Sequence, residues 1–99
     1  MIDTSEDFEQ LMERTEATLE KFRERADSLQ EELGAVSAAT KVQVKAMIAR
    51  LERKYERGKA RLSTLQQGGE EHADELNRFH HEVINSLSDM KRTIDRILS

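Results

Sequence analysis

Residues 77 to 85 read NRFHHEVIN, with His80 and His81 adjacent, and a third histidine, His72, lies just upstream. Imidazole ligates metals, moves protons and titrates near neutral pH, so three chemistries compete for these residues. A metal site is disfavoured by spacing. His72 and His80 are eight residues apart, about 12 Å along a helix axis, too far to share one ion. Adjacent histidines project about 100° apart on a helix. Neither Glu-x-x-His nor His-Glu-x-x-His occurs, although carboxylate-bridged and zinc sites on helices use those spacings. Catalysis needs a nucleophile, a base and oxyanion donors that converge in a concave pocket. There is no cysteine and no glycine-rich phosphate loop, so the residues predict a non-enzyme without cofactor or metal. The remaining reading is a structural or pH-sensitive His80, whose pKa burial would lower and a carboxylate such as Glu13 would raise.

The elements that position His80 follow from punctuation and period. The 99 residues contain no proline and four glycines, and 36% are charged, a composition of long helices with room for one core. Gly34 and the pair Gly68 and Gly69 divide the chain into three nearly equal segments, predicting helices over about 4–33, 37–67 and 70–98 within one domain, 1–99. Asp3 with Glu6 fits a capping box, Ser37 a second cap, and Glu70 and Glu71 charge the third start. Seams at 3-4 spacing run Phe8, Met12, Thr15, Leu19, Phe22, Ala26, Leu29, Leu33, then Val44, Ile48, Leu51, Tyr55, Gly58, Leu62, Leu65. The last runs Ala73, Leu76, His80, Val83, Leu87, Met90, Ile94, Ile97. Short connections make consecutive helices antiparallel, so the fold class is all-α, an elongated up-down-up three-helix bundle with coiled-coil-like packing.

A glycine within a helix costs about 1 kcal/mol relative to alanine, so Gly58 on a seam calls for a reason. Pairing about the second turn sets it opposite Phe79, and pairing about the first sets it near Met12 or Glu13. The sequence therefore predicts one layer in which Met12, Tyr55, Phe79 and His80 close around the missing side chain of Gly58. Leu11, Met47, Phe79, Ile84 and Leu98 lie beside the seams and widen each stripe, which marks them as a candidate interaction surface.

Charge is segregated. Residues 1–33 carry 4 Lys and Arg against 11 Asp and Glu, residues 34–69 carry 8 against 2, and residues 70–99 carry 4 against 7. Acidic, basic and acidic helices in that order select one another as neighbours. Arg50, Arg53 and Arg57 fall toward the outer face of the middle helix as candidate contact residues. Nucleic acid is disfavoured as a partner, because the chain is net −4 and interleaves no stacking aromatics with its cations.

The segment KVQVKAMIARLERKYERGKARLSTLQQ, with Leu51, Tyr55, Leu62 and Leu65 in register, is followed by a tail with Leu76, Val83, Leu87 and Ile94. Over residues 41–98 this resembles a loose group of small bacterial helical coiled-coil proteins, some stress-associated and labelled apolipoprotein-like. The resemblance implies a helical fold and a stress-response setting, with no functional residue to carry over. The expected function is a structural or protein-interaction module that binds a protein partner or itself. Two alternatives are reversible binding of amphipathic helices to anionic lipid surfaces, and pH or metal sensing at His80. The acidic, polar start and the absence of a long apolar run suggest a cytoplasmic protein.

Overall fold

A computed structural model describes residues 4–99, with side chains from Asp7 onward. The chain is all-α, with no strand among the described residues. Helix α1 spans Thr4–Glu32, α2 spans Ala38–Gly68 and α3 spans Ala73–Leu98. The expected Asp3–Glu6 cap lies outside the described residues.

Each connection has a local cause. A 3-10 turn, Leu33–Ala35, prolongs α1, and Ser37 then sits extended with φ −64° and ψ 161°. Its hydroxyl accepts the Thr40 N–H at 3.3 Å, one of the donors that a helix start leaves unpaired. Gly34 lies inside the 3-10 turn, not in a left-handed cap. The left-handed residue is Gly69, φ 64°, whose N–H donates to the Gln66 carbonyl and ends α2. A second 3-10 turn, Gly69–His72, contains Glu70 and Glu71, so α3 starts at Ala73 with Asp74 and Glu75 in its first turn.

The helices form a bundle measuring 55 × 21 × 17 Å, and each touches the other two. Leu19, Phe22, Ala26 and Leu29 of α1 are buried with Val44, Ile48, Leu51, Leu62 and Leu65 of α2 and Leu76, Val83, Leu87, Met90 and Ile94 of α3. Every one of these is a seam position. Burying one such side chain contributes about 1.5 to 3 kcal/mol, so this single cluster is the main source of stability.

Two residues depart from the expected surface. Met47 and Phe79 are buried in the core, at 4% and 8% exposure. A helix with two neighbours buries more than one seam, so positions flanking the seam can be buried as well. Leu11 is half-buried against the same core. Ile84 and Leu98 are exposed, and so is Val42, which the periodicity did not single out. Val42 lies opposite the α2 seam, where an isolated apolar side chain gives no periodic signal.

Candidate functional site

Register determines which side chains meet. Glu16 accepts a 2.8 Å hydrogen bond from Lys59 Nζ, and Glu20 accepts a 2.9 Å bond from the Tyr55 hydroxyl. Advancing along α1 thus means retreating along α2. In this register Leu19, seven residues beyond Met12, faces Gly58. A Cβ built on Gly58 would collide with Leu19 Cδ2, so the vacancy admits the Leu19 side chain.

The layer expected around Gly58 is therefore not assembled. Met12 lines a groove between α1 and α2 with Phe8 and Leu62. The Tyr55 ring lies 5.9 Å from the Arg23 guanidinium while its hydroxyl holds Glu20. His80 turns to α1, where Nδ1 is 3.0 Å from Thr15 Oγ1. Phe79 alone shares a groove with Gly58. The discrepancy arises at the first connection. The 3-10 turn Leu33–Ala35 prolongs α1 and carries the reversal past Gly34, so the position opposite Gly58 slides by about two turns, from Met12 to Leu19.

The Thr15 hydroxyl is wholly buried and lies 2.7 Å from the Leu11 carbonyl, to which it gives its one proton. His80 Nδ1 must then carry the proton that Thr15 Oγ1 accepts, leaving Nε2 as the titrating nitrogen. Burial holds the His80 pKa below its ordinary value of 6.5, and the neighbouring His81 and Arg14 lower it further. Among the described residues no group of three or more His, Asp or Glu is arranged to hold a metal ion.

The other titratable contacts are on the surface. The hydrogen bond that Lys59 donates to Glu16 keeps the Lys59 ammonium above its ordinary pKa, and Lys59 also lies 3.9 Å from Glu20. Among the described residues Lys59 is the one α2 cation that forms a salt bridge. Arg61 sits over the Phe79 ring at 5.8 Å. Arg50, Arg53, Lys54 and Arg57 line a notch of about 170 Å³, and among the described residues none of them forms an ion pair. The opposite sign is displayed on α1, where Glu9, Glu13, Glu24 and Glu31 are exposed and also form no ion pair among the described residues. Cross-helix pairing therefore uses little of the charge segregation.

These features define a class, an all-α helical bundle with one buried hydroxyl–imidazole contact and charged surface grooves. No helix of the described residues is long and apolar enough to cross a membrane. Comparisons of the chain with protein-family models, curated proteins and solved structures give no significant match.

Proposed function

We propose that this chain is a non-enzymatic protein-interaction module, built as an elongated antiparallel up-down-up three-helix bundle with coiled-coil-like packing. The carrying observation is the row of cations Arg50, Arg53, Lys54 and Arg57 on α2, which form no ion pair among the described residues. Steps of three and four residues keep such a row on one side of a helix. Its natural complement is an acidic helix surface. A second copy of the chain offers one, since Glu9, Glu13, Glu24 and Glu31 follow at steps of 4, 11 and 7 residues.

Such a contact joins different surfaces of the two copies and leaves an unused cationic row at one end and an unused acidic row at the other, so it grows with concentration. Each solvated pair is worth about 0 to 1 kcal/mol, which makes the association weak and salt-sensitive.

Sedimentation equilibrium at low ionic strength should give an average mass above 11.4 kDa that rises with protein concentration. It should return to 11.4 kDa in about 0.5 M salt, where screening shortens the reach of exposed charges below 10 Å, and in the Arg50→Gln, Arg53→Gln, Arg57→Gln variant. A constant 11.4 kDa at low salt and high concentration would contradict self-association through these rows.

A further inference from the structure

Two depressions adjoin on one side of α2. The first is the notch of about 170 Å³, whose walls are Arg50, Arg53, Lys54 and Arg57 and nothing else. The second is a groove of about 280 Å³ between α2 and α3, which contains the same Lys54 and Arg57. Its apolar lining comes from Leu19, Phe22, Phe79 and Val83, with Gly58 contributing no side chain. Arg61, over the Phe79 ring, closes the apolar surface toward one end, and Ser86 and Glu82 form the α3 edge.

A ligand that uses both depressions needs a compact anionic head and a narrow apolar tail. A polyanion would engage the cations and leave the apolar groove empty. A neutral apolar molecule would leave four like charges unneutralised in the notch. The groove lies just under the usual 300 to 1,000 Å³ of small-molecule sites, which suits one alkyl chain. A docking helix needs several hundred Å² of apolar surface, whereas Leu19, Phe22, Phe79 and Val83 are each less than a tenth exposed.

We propose that the joined notch and groove bind a single-chain amphiphile with a phosphate head. Three guanidiniums flank the notch, and guanidinium is the side chain suited to paired hydrogen bonds with phosphate oxygens. The head occupies the notch, away from the Glu82 carboxylate, and the tail passes between Lys54 and Arg57 onto Phe79 and Val83. This goes beyond the docking of a protein on the outer row, because the groove is used by the tail alone.

Calorimetric titration of the intact protein with dodecyl phosphate, kept below micelle formation, tests the site. The expected result is one bound molecule per chain, at least about tenfold tighter than inorganic phosphate or dodecyltrimethylammonium. Lys54→Gln with Arg57→Gln removes the shared head contacts. Ser86→Trp fills the groove from its half-buried edge without altering a core residue, and Ser86→Leu does the same with less bulk. Each of these variants, shown by circular dichroism to keep its helix content, should bind at least about tenfold more weakly. Equal binding of inorganic phosphate or of the cationic amphiphile would overturn the proposal, as would unchanged affinity in helical Ser86 variants. Association with anionic phospholipid vesicles but not with monomeric dodecyl phosphate would also overturn it, assigning the cations to a membrane surface. The Ser86 variants leave the outer row intact, so failure here is distinguishable from failure of the self-association reading.

Discussion

Replacing Leu19 by alanine is expected to destabilise the protein by about 3 kcal/mol, and placing leucine at position 58 by about 2 kcal/mol, yet the double variant should lose clearly less than the two together. Leu19 is 1% exposed, and its Cδ2 fills the space that a side chain at Gly58 would take. Truncating Leu19 leaves a cavity, and enlarging Gly58 overfills the same place. Combining them lets the new leucine enter from α2 the space vacated on α1. Residues that share a cavity couple by about 0.5 to 3 kcal/mol. Urea denaturation of the four proteins yields the coupling. Strict additivity would show that the two positions do not share this space.

The second large effect concerns Thr15 and His80. Thr15→Val keeps the shape of a fully buried side chain but removes the oxygen that accepts the His80 Nδ1 proton. An orphaned donor costs more than the bond contributed, so the variant should lose about 1 to 2 kcal/mol, and Thr15→Val with His80→Leu should recover most of it. The pair also carries a pH signature. Because the folded pKa of His80 lies below 6.5, the unfolded chain binds more protons between the two values, and stability there rises with pH. The His80 contribution is thus full above 6.5 and is lost as pH falls through the lower folded value. His80→Asn retains an amide donor and does not titrate. Denaturation at pH 7.5 and pH 5 should show the wild type losing more stability than His80→Asn. Identical losses would remove His80 as the source.

Residues whose environment is set by their own helix were legible in the sequence. Thr15, Phe22, Leu29, Leu51, Leu76 and Ile94 were read from a 3-4 spacing and are buried, because that period follows from helix geometry alone. Ser37 was legible as a cap for the same local reason. What depends on register between helices was not. Gly58 was recognised as a vacancy, but its occupant, Leu19, is fixed by how far the Leu33–Ala35 turn carries α1 before the chain reverses. No residue type there encodes that distance.

The same distinction separates the parts of the candidate site. Arg50, Arg53 and Arg57 lie on one side of α2 by spacing alone, and they were readable as a group. Lys54 is legible only as one of the eight cations of the middle segment, because it lies between the outer row and the core and its place in the site depends on α3 standing beside it. Met47 falls on the surface by heptad position for a related reason, as does Phe79 in one of its two readings, the other being the layer at Gly58. A heptad seam describes contact with one neighbour, and where each helix touches two others the positions beside the seam are buried too.

Small-angle X-ray scattering, extrapolated to zero concentration in about 0.5 M salt, tests most directly whether three ridges fold back on one another. The bundle has a Cα radius of gyration of 16.0 Å and a longest extent of 55 Å, and the scattering should return dimensions only slightly larger, from the hydration shell. A continuous helix of this length would reach about 140 Å, and two helices with the third extended would exceed 80 Å. A longest dimension beyond 80 Å for the monomer would contradict the bundle and, with it, the pairing of Leu19 with Gly58.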